Sequence, residues 1–412
     1  MERAALKKDP LTSPIFWAVF VAALGYFVDA YDIILFTILR TKSLQDIGVP
    51  HDQIFSTGVD LLNWQLTGLL LGGIFWGILG DKKGRLSVLF GSIFLYSISN
   101  ILNGFVHSVE TYRVLRFFTG LGLAGELGGG ITLVSEIMSR TGRGWGTMIV
   151  ASTGVTGVVA AALVGQLFPW QTAFFVGGGM GLGLLFLRLG VKESAMFKSL
   201  GNQAHRGDFF SFFRSKKQFL KYLYPILVGM PVWYAVGILL TFCPEIGAAM
   251  GLTQAPNPGQ AVLYAYAGLT TGDVLSGSLS QWMRSRKKVI FGALILSSAI
   301  ITLFFFKGGA SLPIFYGFFT AIGFSMGFWA VFLVVTAEQF GTNLRATATT
   351  TIPNFVRGSA ILLTTAFKWL MPACGTVGAA ALVGLVTMGL ALWGLQNLEE
   401  TYGKNLDYTE PA

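Results

Sequence analysis

Residues 59–105 read VDLLNWQLTGLLLGGIFWGILG, then DKKGRL, then SVLFGSIFLYSISNILNGF. Two apolar runs of 22 and 19 residues flank a six-residue loop that carries four charges. A run of about 18 apolar residues or more is long enough to cross a bilayer as a helix, whereas a spanning strand needs only about half that. The stretch therefore reads as a pair of membrane helices joined by a basic loop. The same alternation continues outward in both directions. Twelve apolar runs succeed one another at about 14–39, 59–80, 87–105, 114–137, 146–168, 171–189, 220–245, 259–282, 289–306, 313–336, 348–367 and 376–396. Only 12% of the 412 residues are charged and 53% are hydrophobic. A soluble chain carries roughly a quarter charged residues, so a soluble enzyme is excluded, along with disorder, collagen and a disulfide scaffold. Alternating segments of strand length do not occur, which excludes an outer-membrane barrel. The expected fold is an all-α membrane protein with twelve transmembrane helices.

The net charge of +9 has its meaning in where it sits. Of the 29 Lys and Arg, Arg40, Lys42, Arg113, Lys307 and Lys368 fall in one set of gaps and Arg116 and Arg357 in the spans, leaving 22 in the other set. Cytoplasmic loops collect Lys and Arg, so both termini are expected in the cytoplasm. The basic balance is then a topology signal, and nucleic acid is not an expected partner. Cys243 and Cys374 read as two unpaired residues near outer helix ends. No cleavable leader is apparent, because the first apolar run is too long. The absence of an Asn-x-Ser/Thr sequon favours a bacterial inner membrane.

The chain divides into two. Residues 190–219 hold Lys192, Lys198, Arg206, Arg214, Lys216 and Lys217 around Phe209, Phe210, Phe212 and Phe213. That pattern suits a short amphipathic helix lying on an anionic membrane surface. The expected units are a six-helix bundle at 1–190, a linker with this interfacial helix at 191–219, and a second bundle at 220–412. Span four reads FFTGLG at 117–122 and span ten FFTAIG at 318–323, an offset of 201. Glu136 precedes Arg143 by seven, as Glu338 precedes Arg345. The loop after span two, GILGDKKGR at 77–85, has a degraded copy after span eight at 277–287. Three matches at nearly one offset indicate a duplicated six-helix unit.

Gly77, Asp81, Lys82, Lys83, Gly84 and Arg85 resemble the loop signature of the major facilitator superfamily, with Leu86 in place of its final basic residue. Arg116, Gly120, Gly122 and Gly125 resemble its fourth-helix motif. Glu136 with Arg143, and Glu338 with Arg345, resemble the paired cytoplasmic motifs of its sugar-porter and organic-ion branches. Asp29-Ala30-Tyr31-Asp32 with Glu126 is most similar to its metabolite:proton, aromatic-acid:proton and phosphate:proton symporters. The resemblance covers about 14–396. It implies two bundles related by a pseudo-twofold axis, alternating access, and a cytoplasmic gate of Asp81, Gly84, Arg85, Glu136, Arg143, Glu338 and Arg345. The Gly-Pro-x2-Gly-Gly signature of drug antiporters is missing from span five.

An ionisable group within a span is costly and marks function by default. Asp29 and Asp32 lie three apart, on one face of span one. Arg116 and Glu126 lie in span four. All three His fall in gaps, so carboxylates are the candidate proton carriers. The resemblance implies that Asp32 approaches Arg116; the alternative is a static salt bridge. The candidate proton-coupling residues are Asp32, Glu126, Arg116 and Asp29. In the second half, Arg357 in span eleven, after Pro353-Asn354, offers a planar fork suited to a carboxylate. A pairing of Arg357 with Asp273 is the competing reading. Candidate substrate residues are Arg357, Asp273, Asn354, Trp233, Tyr234 and Trp329. Asp60, Asn63 and Gln65 are candidates for an outer vestibule.

The leading reading is a proton-coupled symporter of a small organic anion, monomeric, surrounded by lipid, with small-molecule substrate and protons as partners. No cofactor or metal is expected. A uniporter or exporter of the same fold stands behind it, then a transporter-like sensor. An intramembrane aspartyl protease is disfavoured because Thr270 breaks its Gly-x-Gly-Asp signature at Asp273. No Walker-type phosphate loop occurs, so ATP is not the visible energy source.

Overall fold

The computed structural model describes residues 13–50, 53–139, 141–191, 193, 194, 196, 197 and 206–410. Among these the chain is helical, without a strand. The first half comprises α1 (Ser13–Asp46), α2 (Ile54–Lys83), α3 (Arg85–Asn103), α4 (Val109–Ile137), α5 (Arg143–Leu167) and α6 (Trp170–Leu187). The second half begins with α7 (Lys216–Tyr234), which a π-helical turn over Ala235–Leu240 prolongs. Then come α8 (Pro258–Trp282), α9 (Arg286–Lys307) and α10 (Leu312–Met326, resuming as Trp329–Gln339). The helix Arg345–Asn397 supplies the last two, because Gly375 breaks it at φ 69° and ψ 170°. We label its parts α11 (345–374) and α12 (376–397).

Ten helices among the described residues are long and apolar enough to cross a membrane. Dividing the 53-residue helix at Gly375 gives eleven. The twelfth is α8, whose 25 residues are long enough but which Thr270, Thr271, Asp273, Ser276, Ser278 and Gln281 make too polar. The apolar run at 313–336 predicts a continuous α10. The helix is instead interrupted at Gly327-Phe328, beneath Asp273.

The duplication is visible in the packing. Gly68 and Gly72 of α2 meet the backbone of Phe117 and Leu121 on α4, so closely that a Cβ would collide with both carbonyls. Gly268 and Gly272 of α8 meet Thr320 and Phe324 on α10 in the same way, 200 residues on. Small residues let membrane helices approach where no hydrophobic effect drives them together. Within the halves α1 packs on α5 and α7 on α11; between them α2 meets α11 and α5 meets α8. The helices α1 and α4 are mostly buried, while α6 and α9 turn most of their surface outward. The outer surface is apolar, with Phe186 of α6, Phe306 of α9 and Trp369 of α11 among its exposed side chains, as a lipid-facing surface should be.

The candidate interfacial helix falls partly on 198–205, outside the described residues. Its aromatic portion, Phe209–Phe213, forms a 3-10 turn. Phe209 and Phe212 are buried against Tyr222, with Phe212 also against Phe340, while Phe210 and Phe213 stay exposed. The last residues, 398–410, cross the same face as a non-helical strap.

Candidate functional site

On the face that carries the linker, the two halves are joined by a crossed ionic network. Glu136, at the end of α4, accepts from Arg85 of its own half at 2.7 and 3.1 Å. It also accepts from Arg345 of the other half at 2.9 Å. Glu338, at the end of α10, accepts from Arg143 across the interface at 2.6 Å. Its own half supplies Arg286, at 3.3 and 3.4 Å. Each glutamate is therefore held by one arginine from each half. Asp81 caps the start of α11, accepting from the backbone of Ala346 and Thr347 at 3.0 and 2.8 Å. Gly84 sits at φ 100°, where a side chain would also strike Glu193. All seven expected gate residues thus meet in one region. Arg286 is not among the residues expected there, although it stands 201 residues after Arg85 and the repeat offset points to it. Nor is the strap: Arg143 donates to the carbonyl of Lys404 at 2.7 Å and Arg345 to that of Leu406 at 2.6 Å.

On the opposite face the halves part around a vestibule of about 360 Å³. Asn63 and Gln65 line it, as expected, together with Trp233. Asp60 does not; it forms a half-exposed ion pair with Arg113 at 2.8 Å. The floor, continuous with the vestibule through Ile33, Trp233 and Val236, is lined by Tyr26, Tyr266, Trp329 and Arg357.

Arg357 at this floor does not pair with Asp273. It donates from Nη2 to Asp29 Oδ2 at 2.8 Å, across the two halves, and both side chains are buried. Its Nε and Nη1 make no hydrogen bond of normal geometry, and the Tyr26 hydroxyl lies beside the guanidinium. Asp273 instead accepts from the backbone N–H of Ala330 at 2.9 Å, at the N-terminus of the resumed half of α10. Such an end carries unsatisfied donors that favour a carboxylate, which is why the α8 aspartate turns there and not to arginine. Trp329 in the same turn donates its indole N–H to the Tyr26 hydroxyl at 3.0 Å, closing the floor between the halves.

Asp32 and Arg116 do not form a salt bridge. Arg116 donates to Asn103 at 3.1 Å and Asn100 at 3.3 Å, and lies against the rings of Phe36, Tyr112 and Phe174. Asp32 is buried on the same side, within electrostatic reach of Arg116, yet neither of its oxygens accepts a hydrogen bond of normal geometry. Arg116 Nη1, Asn100 Nδ2 and the Ser97 hydroxyl are likewise unpartnered.

Three expected residues lie elsewhere. Glu126 is not a free carboxylate: Arg188 clamps it with two bonds of 2.9 and 2.5 Å, and Ser92 donates at 2.8 Å. By sequence Arg188 is a basic residue at the end of span six, with nothing in the pattern to aim it inward. Tyr234 gives its hydroxyl to the Ala380 carbonyl at 2.8 Å and packs α7 on α12. Asn354 donates to the carbonyls of Ala124 and Thr350, holding α11 against α4. Both are taken up by helix packing and line neither cavity. Among the described residues no cluster of His, Cys, Asp and Glu suited to a metal occurs.

Two pseudo-symmetric helical bundles around a cavity open to one face define a membrane transporter of the alternating-access type. The chain belongs to the Major Facilitator Superfamily, whose family model matches residues 15–365. It is 28% identical over 353 residues to NiaP of Bacillus subtilis, a candidate niacin/nicotinamide transporter, covering 82% of this chain and 84% of that one. It is 27% identical to the 3-(3-hydroxy-phenyl)propionate transporter of Escherichia coli, covering 84% of each. Among solved structures, the proton:xylose symporter XylE matches with a TM-score of 0.76 at 17% identity, over 96% of this chain and 98% of that one. FucP in its outward conformation matches with a TM-score of 0.74 at 12% identity, over 93% and 99%. These structural likenesses show the fold.

Proposed function

We propose that this transporter carries a small organic anion together with a proton, and that the structure is its state open to the outside. In this reading both termini and the linker face the cytoplasm of a bacterial inner membrane, and the protein acts as a monomer within the lipid. The Asp29–Arg357 contact between the halves carries the proposal. A buried arginine at the cavity floor, with two donors outside normal hydrogen-bond geometry, can receive a carboxylate that leaves water. The arriving carboxylate competes with Asp29 for the guanidinium. An aspartate displaced from its cation in a dry cavity favours its neutral form and takes up a proton. The loaded floor is then electrically neutral, which lowers the cost of rocking the halves past one another. Asp32, beside Arg116, is a second carboxylate able to hold a proton. The relatives named for niacin and for hydroxyphenylpropionate support an aromatic or heteroaromatic carboxylate, and the Tyr26, Tyr266, Trp233 and Trp329 rings offer it stacking surface.

The test is uptake into proteoliposomes of nicotinate and of 3-(3-hydroxyphenyl)propionate, driven by a pH gradient. Wild type should accumulate at least one of them, and Arg357→Lys should weaken its binding about tenfold or more, because lysine offers a point charge and no fork. Asp29→Asn should abolish gradient-driven accumulation while sparing counterflow exchange. Accumulation insensitive to the pH gradient would favour a uniporter instead.

A further inference from the structure

We propose that the Tyr266 hydroxyl is a specificity contact of the floor, one that favours aromatic carboxylates bearing a ring hydroxyl or a ring nitrogen over those with a bare ring. The inference deepens the proposed function and rests on its carboxylate seat at Arg357.

A buried phenol is costly unless its hydroxyl finds a partner. In this protein such partners come from neighbouring helices. Tyr31 donates to the Ala173 carbonyl at 2.9 Å, Tyr96 to that of Gly177 at 2.8 Å and Tyr234 to that of Ala380 at 2.8 Å. Those hydroxyls tie helices together. Tyr266, on α8, is only 9% exposed, yet among the described residues no group hydrogen-bonds its hydroxyl. Helix packing at this position uses the ring and makes no use of the oxygen. The Tyr222 hydroxyl is also unmet, but it lies at the linker face beside Phe209 and Phe212, and Tyr222 lines neither the floor nor the vestibule.

The position of Tyr266 gives the oxygen a use. Tyr266 lines the floor together with Tyr26 and Arg357. It also lines an apolar cleft beside the floor, walled by Leu240, Phe319, Ile322 and Met326. It thus stands where the polar end of the floor gives way to an apolar one. Its hydroxyl is within electrostatic reach of Arg357 without bonding to it. The other tyrosine of the floor is already engaged: Tyr26 accepts from the Trp329 indole at 3.0 Å and lies beside the Arg357 guanidinium. An anion seated on Arg357, with its ring across the floor, brings the far edge of that ring toward Tyr266. A phenol both donates and accepts, so it can meet a ring hydroxyl or a ring nitrogen there. A bare ring leaves it unmet, which is how a polar group in a pocket rejects the analogue that lacks its partner.

The test is equilibrium binding of five probes to the purified transporter: benzoate, its three monohydroxy isomers and nicotinate. Expressing each affinity relative to benzoate cancels the shared carboxylate contact. Wild type should bind at least one of the four polar-ring acids about three- to tenfold more tightly than benzoate. Tyr266→Phe should bring that ratio to near one while leaving benzoate affinity unchanged. Its melting temperature should equal or exceed that of wild type, because the folded chain loses no hydrogen bond. A hydroxyl kept for structure predicts the reverse, with lower stability and weaker binding of every probe. A ratio near one in wild type, a ratio that survives in Tyr266→Phe, or a variant that loses benzoate as well or fails to fold overturns the assignment. Binding of none of the probes to wild type also overturns it, while the uptake assay above still decides whether an organic anion is carried. Arg357→Lys separates the two readings: all five affinities should fall together there, with the ratio retained. Undiminished affinities with the ratio retained would remove the contact at Arg357 and leave the Tyr266 assignment standing.

Discussion

The linker-face network and the cavity floor are built from the same residue types and treat them in opposite ways. At the linker face each acid has its counterpart: Glu136 and Glu338 are each held by two arginines, and Asp81 by two backbone amides and the Thr347 hydroxyl. Around the floor, polar atoms are left over. Asp32 lacks hydrogen bonds of normal geometry on both oxygens, Asp29 and Asp273 on one each, and Arg357 on two nitrogens. Satisfied buried charges hold one arrangement firmly, because removing one partner strands the other. Unsatisfied ones are costly and persist where a ligand or proton completes them in another state. On the proposed function, the first region is what holds the halves together in this state, and the second is where partners change. The bidentate Glu126–Arg188 pair shows that burial alone does not leave a carboxylate unmet, since it is buried in the first bundle and both Glu126 oxygens accept hydrogen bonds.

The largest effect is expected at the linker face. Glu136→Gln removes the acid shared by Arg85 and Arg345, leaving Arg345 without its carboxylate and Arg85 with Asp81 alone, at 3.3 Å. The cost should be about 3–5 kcal/mol, the range for breaking a buried pair from one side. That cost falls on the state closed at the linker face, so the protein should shift toward the opposite state. A cysteine at Asn63 on the vestibule wall should then label more slowly than in the parent, and melting temperature should fall. Glu338→Gln should behave alike through Arg143 and Arg286. An unchanged labelling rate in both variants would show that the network does not distinguish the states.

The linker-face ionic network is legible in the sequence and the floor only in part, for physical reasons. The network residues sit at helix ends in a duplicated unit, so the offset of 201 and the seven-residue spacing locate them in both halves. Helix count is legible because apolar length is a local property. Partner choice inside the membrane is not local. Asp273 turns to the N-terminus of a half-helix that exists only because α10 breaks at Gly327-Phe328, and no proline marks that break. Arg357 reaches Asp29 across 328 residues of sequence. Arg188 reaches Glu126 from a helix end indistinguishable by pattern from any basic loop.

The next effect concerns Arg357. Arg357→Ala should abolish anion binding and strand the Asp29 carboxylate, lowering stability by a similar few kcal/mol. Adding Asp29→Ala should recover most of the lost melting temperature without recovering binding. Adding Asp273→Ala should recover none. Recovery by Asp273→Ala would mean that the aspartate on α8 is the true counter-ion. Smaller still is Asp32→Asn. Because this buried carboxylate accepts no hydrogen bond of normal geometry, its neutral replacement should leave the melting temperature unchanged or raise it by the equivalent of about 1–2 kcal/mol. Proton-driven accumulation should nonetheless fall. A destabilised Asp32→Asn would place Asp32 with the network residues, as a static partner of Arg116.

The smallest expected effect tests whether the linker-face network extends into the C-terminal strap. Glu400 accepts from the Ser285 hydroxyl at 2.5 Å and from the backbone of Arg286 at 2.9 Å, capping α9. Partial burial alone would raise its pKa, but these hydrogen bonds and those from Lys287 and Tyr402 hold the carboxyl below the usual range. The group is thus ionised in the folded chain down to lower pH than in the unfolded one. Its contribution is full above the ordinary glutamate value of about 4.3 and is lost as pH falls through the folded-state value. Since the side chain is largely exposed, solvent screening keeps that contribution below about 1 kcal/mol. Glu400→Gln should therefore melt slightly below wild type at every pH from 8 to 5. The gap should narrow as pH is taken below about 4.3, where wild type loses the same charge. A gap that instead changes between pH 8 and 6 would assign the strap's attachment to another titrating group. A constant gap down to the acid limit would show that the carboxylate's charge plays no part, and that Glu400 acts only as a neutral cap that glutamine fills poorly.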